Sequence, residues 1–296
     1  MSDQDYHCGF VAIVGRPNVG KSTLMNHLIG QKVSITSKKA QTTRHRVRGI
    51  YTEDTAQFIF VDTPGFQTFH RNALNDALNQ SVRDTLGSVD CVFFVLEALR
   101  LTGADKEVMA LLPKHRPVIL VVNKVDKAKD AVVLQNFIEE CQAEFKFADV
   151  EVVSAKHGHR LTELLDKARP FLPESPPLYP EDMITDKSER FLATEIVREK
   201  LFRYLGEELP YAMNVEIELF ELDGEMRRIH IAVLVDKDSQ KGILIGKGGE
   251  KLKKISTEAR LDMEKLFDSK VYLRVFGKVK SGWADDVRFL KEFGLD

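Results

Sequence analysis

Gly15-Arg16-Pro17-Asn18-Val19-Gly20-Lys21-Ser22 lies between the apolar run Phe10 to Val14 and a helical pattern that opens at Thr23. A buried strand, a glycine-rich loop and a helix in that order form a phosphate-binding loop. Its glycines let backbone N–H groups turn inward onto phosphate oxygens, and the helix N-terminus adds positive potential. Lys21 is placed to reach the β and γ phosphates and Ser22 to ligate Mg²⁺, so residues from Gly15 to Thr23 are candidate nucleotide contacts.

Four more short apolar runs follow: Phe58 to Val61, Cys91 to Leu96, Val118 to Val122 and Val150 to Val153. Alternating with helical segments, they predict an α/β domain, a mostly parallel sheet with helices on both faces. Ligand loops then belong at the carboxyl ends of the strands. Asp62-Thr63-Pro64-Gly65, Asn123-Lys124-Val125-Asp126 and Ser154-Ala155-Lys156 each begin where such a run ends.

Each motif has an assignable part. Asp62 is expected to hold the metal through water, and the Gly65 N–H to sense the γ phosphate, although Asp-Thr-Pro-Gly alone reads equally as a turn. A carboxylate at Asp126 accepts from guanine N1 and the exocyclic amine; adenine offers no matching donors, which selects GTP over ATP. Ala155 would offer its N–H to guanine O6, with Lys156 along the base. The polar stretch Gln41 to His45 is either a switch loop, in which a threonine completes Mg²⁺ coordination, or a plain solvated loop.

At 296 residues the chain fits two domains, and its 43% apolar and 30% charged residues are ordinary for a globular protein. Without a signal-like start or an apolar span, a cytoplasmic location is expected. Cys8, Cys91 and Cys141 are too scattered for a metal site or a disulfide framework. His27, His45, His115, His157 and His159 likewise lack ligand spacing, so no zinc is expected.

Pro173, Pro176, Pro177 and Pro180 mark a stiff linker, giving expected domains of 1–172 and 191–296 joined by 173–190. Beyond it a helical stretch, Phe191 to Leu205, precedes two alternating strands with Asp223-Gly224 as the hairpin turn. Then Gly246-Lys247-Gly248-Gly249 opens a long helix, and a strand Val271 to Phe276 and a terminal helical stretch follow. This matches the GxxG loop of a smaller α+β KH-type RNA-binding domain. Lys247, Lys251, Lys253 and Lys254 would attract phosphates, and Ile243, Leu244 and Ile245 divide between base groove and core in a way the sequence leaves open. The region Lys237 to Lys280 carries 12 basic and 6 acidic residues within a chain of net charge -2, which favours an anionic partner there. Trp283 reads as a packing anchor.

In order and spelling these motifs resemble the translation-factor class of GTPases, and nearly the whole chain resembles its Era-like, KH-bearing family. The resemblance implies Mg²⁺-dependent hydrolysis of GTP to GDP and phosphate, with Lys21, Thr43, Gly65 and Asn18 as catalytic candidates. It favours Thr43 over Thr42 beside Ser22 and Asp62 at the metal. Phe66 stands where Ras-like proteins carry the glutamine that orients water, so slow intrinsic turnover is expected. Asn18 resembles the asparagine that binds K⁺ in some related GTPases, and reads equally as a turn residue. The implied partner is the 3′ end of small-subunit ribosomal RNA within the 30S ribosomal subunit, in assembly or maturation, for a monomer. An alternative from another class is a peripheral membrane GTPase of cell-cycle control, with the helix Phe191 to Leu205 on the lipid; docking of that helix on the KH sheet is simpler.

Overall fold

The computed structural model describes residues 6–37, 39, 42–43, 45–66, 73–206 and 209–281. Gln41 and Arg44 of the expected switch stretch, Trp283 and the terminal helical stretch lie outside the described residues. The chain divides into two compact units, Met1–Ser34 with Thr43–Asp186, and Ile35–Thr42 with Lys187–Asp296.

In the first unit the elements run β1 (His7–Val14), α1 (Lys21–Ile29), β2 (Val47–Glu53), β3 (Ala56–Asp62), α2 (Ala73–Ser88) and β4 (Cys91–Glu97). They continue as α3 (Gly103–Met109), β5 (Val118–Asn123), α4 (Ala131–Glu144), β6 (Asp149–Val153) and α5 (Leu161–Ala168). The sheet order is β2-β3-β1-β4-β5-β6. All neighbours are parallel except β2 and β3. β3, β4 and β5 are buried almost throughout, as strands covered on both faces must be. Strand order reverses between β1 and β4, which puts the loop after β1 at the crevice where such sheets bind ligands. The sequence reading missed β2: Arg48 and Gly49 interrupt its apolar run, and only the tight connection through Asp54 and Thr55 marks it as a hairpin partner of β3.

The proline-rich stretch is not a free-standing linker over its whole length, because residues 173–186 belong to the first unit. Its extended backbone is captured at several points. Pro173 accepts from the Cys8 N–H at 3.0 Å, and Ile184 from the Ile50 N–H at 2.9 Å on the outer edge of β2. Fully buried Gln57 accepts from the N–H groups of Leu178 and Tyr179 at 2.9 and 3.0 Å, and its own amide donates to the Tyr179 carbonyl at 2.8 Å. The expected boundary at 172 therefore falls inside a packed unit.

The second unit runs α6 (Glu189–Tyr204), β7 (Met213–Asp223), β8 (Met226–Val235), α7 (Asp238–Ile245), α8 (Glu250–Phe267) and β9 (Val271–Val279). Its sheet has the order β7-β8-β9, with the first pair antiparallel and the second parallel. Gly224, at φ 63, makes the hairpin turn after Asp223. Ala193, Ile196, Val197 and Leu201 of α6 share a core with Ile229, Ile231, Val233, Ile255, Ala259 and Met263. With Leu192 and Phe202 buried as well, α6 has no apolar face left to lay on lipid. Among the described residues no helix is long and apolar enough to cross a membrane. All three cysteines are buried free thiols, and no group of metal-ligating His, Cys, Asp or Glu side chains occurs among the described residues.

Candidate functional site

The loop after β1 is shaped by what its glycines avoid. A Cβ on Gly15 would lie 2.5 Å from the Val95 carbonyl oxygen, and one on Gly20 would lie 2.3 Å from the Asn123 amide. Gly20 also sits at φ 107 as the residue that starts α1, so both close approach and conformation demand glycine. Lys21 is buried at the first turn, its Nζ donating to the carbonyls of Gly15 and Arg16 at 3.0 Å each. Burial, countered in part by Asp62, pushes its pKa down to about 8. An ammonium held by two neutral carbonyls is poised for an anion, whose charge it would neutralise.

Asp62, at the end of β3, is fully buried. Its Oδ2 accepts from Ser22 at 2.6 Å, Ser34 at 2.7 Å and Thr43 at 3.4 Å, and the Ser22 and Thr43 hydroxyls are 3.1 Å apart. Burial raises its pKa, with the Ser22 hydrogen bond and the Lys21 charge opposing. Its other oxygen, Oδ1, is buried without a hydrogen-bond partner. Three hydroxyls around one carboxylate with an unsatisfied oxygen make a hard, all-oxygen donor set, which fits Mg²⁺. Thr43 belongs to this cluster; the Thr42 hydroxyl instead bonds the Lys39 carbonyl and Ser37, both at 2.7 Å. Ser34 was absent from the sequence reading because a lone serine carries no signal; Asn26 holds it by accepting from its N–H at 2.9 Å.

Thr63 and Arg16, expected as nucleotide contacts, turn their side chains inward. Thr63 Oγ1 donates to the Ile13 carbonyl at 2.9 Å, tying β3 to β1. Arg16 donates to Asp105 at 3.1 Å and to Glu97 at 3.4 Å. Gly65 packs against the phosphate loop, where a Cβ would meet Pro17 Cγ at 2.7 Å, and Phe66 is buried in the core beside Val82 and Phe94. An inward phenyl ring cannot hold an attacking water.

The loops expected to read the base are clipped together by Asn123. Its amide donates to the Val19 carbonyl at 2.8 Å, and its Oδ1 accepts from the N–H of Ala155 at 2.9 Å. The Ala155 N–H expected at guanine O6 is thus already engaged, so O6 would have to share it. Ser154 Oγ donates to exposed Asp126 at 2.6 Å, which aims the carboxylate and lowers its pKa. Lys124, at φ 65, donates to the Asn18 carbonyl at 2.7 Å, and Lys156 is exposed.

Glu97, at the end of β4, is a residue the motifs do not contain. Its carboxylate meets Lys124 at 3.0 Å, Lys127 at 3.1 Å and Arg16 at 3.4 Å, joining the phosphate loop to the base loop. Burial alone would raise its pKa, but the hydrogen bonds from Lys124 and Lys127 prevail and hold it down to about 2. Asp105, in the capping box of α3, anchors Arg16 from the other side.

In the second unit Gly246, Gly248 and Gly249 adopt φ of 74, 59 and 80 between α7 and α8. A Cβ on Gly246 would lie 2.8 Å from Lys251 Cβ, whereas Gly248 and Gly249 face open space. The three apolar residues left open by the sequence are now sorted: Leu244 is core, Ile245 is half-buried and Ile243 is 51% exposed. Beside the loop a groove of about 310 Å³ runs between α8 and β9, lined by Gly249, Leu252, Lys253 and Thr257 on one wall and Tyr272 and Arg274 on the other. Lys247 and Lys253 are exposed and Lys251 is half-buried, while Lys254 Nζ lies 4.6 Å over the Tyr204 ring, turned toward α6. Tyr272 and Arg274 went unread because one exposed aromatic in an alternating strand resembles any surface position.

Comparison with known proteins agrees with both halves. A family model for 50S ribosome-binding GTPases matches residues 10–124, and one for KH domains matches 208–284. GTPase Era of Chromobacterium violaceum is 80% identical over 296 residues, covering 100% of both chains. GTPase Era of Neisseria meningitidis is 74% identical over 98% of this chain and 95% of its own. Among solved structures, Aquifex aeolicus Era bound to GDP and aluminium fluoride superposes with a TM-score of 0.92 at 38% identity, covering 98% of this chain and 99% of that one. The same TM-score, identity and coverages hold for an Era in complex with MgGDPNP and nucleotides 1506–1542 of 16S ribosomal RNA.

Proposed function

The chain belongs to the Era family of GTPases, and on that premise we infer that it is a nucleotide-controlled RNA binder acting on the 3′ end of small-subunit ribosomal RNA. Hydrolysis of GTP to GDP and phosphate is the activity of the first unit. Assembly or maturation of the small subunit is the setting in which that activity would be used, with the protein acting on the 30S particle as a monomer.

Lys21 and the backbone N–H groups from Asn18 to Thr23 would bind and orient the phosphates, with Asp126 and Asn123 fixing the guanine. Ser22, Thr43 and Asp62 are the residues that would hold Mg²⁺, which when bound supplies charge neutralisation at the β and γ phosphates. The Gly65 N–H would report the γ phosphate. With Phe66 buried, no side chain at that position orients water, so intrinsic turnover is slow and rises when another component supplies that function. K⁺ beside Asn18 is one way to compensate transition-state charge; equal turnover in KCl and NaCl would sink that reading.

The observation that carries the RNA reading is the GKGG loop, with Gly248 facing open space beside a groove whose two walls present Lys253 and Arg274. For nucleotide and RNA to be coupled, RNA must prefer one nucleotide state, and that nucleotide must then be favoured reciprocally. Crosslinking in cells, followed by sequencing of bound RNA, tests the reading with the intact chain and with Gly248→Asp. Recovery of one short 3′-terminal ribosomal segment, lost in the variant, is the expected result. Diffuse recovery that ignores the variant would remove RNA from the function and leave the GTPase alone.

A further inference from the structure

Among the described residues, Asp62 is hydrogen-bonded through one of its oxygens only. Ser22, Ser34 and Thr43 all donate to Oδ2, at 2.6, 2.7 and 3.4 Å, while Oδ1 is buried without a partner. An ionised carboxylate has room for about four hydrogen bonds shared between its two oxygens. Gathering three hydroxyls on Oδ2 leaves Oδ1 bare, and a bare buried carboxylate oxygen is costly until a cation or its water meets it.

Of the three hydroxyls, Ser22 and Thr43 belong to residues expected at Mg²⁺. Ser34 does not, yet the fold clamps it in place. It is 2% exposed, and Asn26 of α1 grips its backbone from both sides. The Asn26 Oδ1 accepts from the N–H groups of Val33 at 3.0 Å and Ser34 at 2.9 Å, and its amide donates to the Ser34 carbonyl at 2.7 Å. With its N–H and carbonyl both engaged, Ser34 keeps only the rotation of its side chain, and that is fixed by the bond to Asp62.

Asn26 stands one helical turn beyond Ser22 on the same face of α1. The helix therefore reaches Asp62 twice, directly through Ser22 and indirectly through Asn26 and Ser34. Thr43 makes the longest of the three bonds and lies in the stretch expected to switch, so its hold on the carboxylate changes with that stretch. Ser34 is held from α1 and keeps its place whatever Thr43 does.

We propose that Ser34, clamped by Asn26, is a positioning residue for Mg²⁺ affinity: it pins Oδ2 of Asp62 so that Oδ1 is left for the ion and its water. The proposal rests on the reading of Ser22, Thr43 and Asp62 as the metal site. Residues that orient a metal-holding group in this way change metal affinity by about 10- to 100-fold when removed.

The test reads metal binding apart from hydrolysis. Release of a fluorescent GDP analogue from the full chain is followed by stopped flow over a range of free Mg²⁺, which gives a midpoint concentration, and again in EDTA. Ser34→Ala is expected to raise the midpoint about 10-fold and to leave the rate in EDTA as it was. Asn26→Ala, which opens the clamp, shifts the midpoint in the same direction. Mn²⁺ binding to the GDP-bound chain, read by electron paramagnetic resonance, weakens by the same factor in Ser34→Ala. In an Asp62→Asn background Ser34→Ala has no further effect, because the carboxylate it serves is gone. An unchanged midpoint in Ser34→Ala overturns the proposal. So does a shift that persists in full in the Asp62→Asn background, which would make Ser34 a direct ligand, and so does an equal acceleration of release in EDTA, which would mean a loosened nucleotide pocket. If Asp62→Asn alone leaves the midpoint at the parent value, the reading of the metal site fails and this proposal with it.

Discussion

The nucleotide site and the GKGG groove are both proposed to take phosphate, yet they are built on opposite principles. Around Lys21 and Asp62 the polar groups are buried or half-buried and, apart from Asp62 Oδ1, engaged with one another: hydroxyls on carboxylate, ammonium on carbonyls, Asn123 across two loops. Around Gly248 the backbone is open and the cations Lys253 and Arg274 face solvent. Buried polar groups are costly unless satisfied, so the first arrangement tolerates one ligand in one pose. Exposed cations give charge attraction without fixed geometry and leave sequence choice to the groove walls. Rigidity where chemistry occurs and openness where a flexible strand is gripped is the lesson of the contrast.

The largest expected break is at the buried end. Lys21→Met should lower single-turnover GTP hydrolysis by about 10³-fold, measured by phosphate release, because a group held only for anionic charge is lost. Activity within ten-fold of the parent would show that the buried cluster is not the phosphate site. At the open end, Gly248→Asp should weaken RNA by about 10-fold or more in anisotropy titrations. Because a Cβ there meets nothing and aspartate tolerates φ 59, the circular dichroism spectrum should be unchanged.

Glu97→Gln sharpens the comparison, since it removes one charge from between three cations without touching a nucleotide-facing atom. GDP affinity should fall about 10-fold in stopped-flow displacement. The same residue gives a pH signature. Its folded pKa of about 2 lies below the unfolded value of about 4.3, so its stabilisation is complete above the latter and is lost as pH falls toward 2. Acid unfolding curves of Glu97→Gln should therefore converge with the parent over that window, from a gap of up to about 3 kcal/mol at neutral pH. The smallest effect belongs to Lys253→Ala: about two-fold in RNA affinity, with the salt slope reduced by about 0.7. A larger loss with unchanged slope would mean that Lys253 reads a base.

The candidate nucleotide site is legible in the sequence where residue type and spacing follow from the ligand it would hold. Gly20 cannot carry a Cβ, Lys21 must follow it, and Asp62 must end a strand, so each leaves a mark. Residues that serve other residues leave none. Glu97, Asp105 and Ser34 are single polar positions at strand ends and loops, and their partners lie far off in sequence: Arg16 is 81 residues from Glu97. The Ala155 N–H was placed from its neighbours in sequence, while its actual partner, Asn123, came from another strand. In the second unit the GKGG loop was legible through its glycines. The split between Leu244 and Ile243 needed the helix axis, and the lip of the groove needed to know which face of β9 the helices cover. β2 was hidden because its outer edge is closed by chain from beyond residue 180, a pairing that local periodicity cannot show.

That closed edge has a bearing on where the gene can be cut. A fragment stopped at 172, as the prolines invite, would lose the chain that receives Gln57 and the Ile50 N–H. A buried amide would be left bare and β2 would become an open template for pairing with another copy. A fragment stopped at 186 keeps Thr185, whose hydroxyl bonds the Arg48 carbonyl at 2.6 Å, and Asp186, paired with Arg48 at 3.2 Å. Of two GTPase fragments differing by fourteen residues, the shorter should aggregate and the longer remain dispersed.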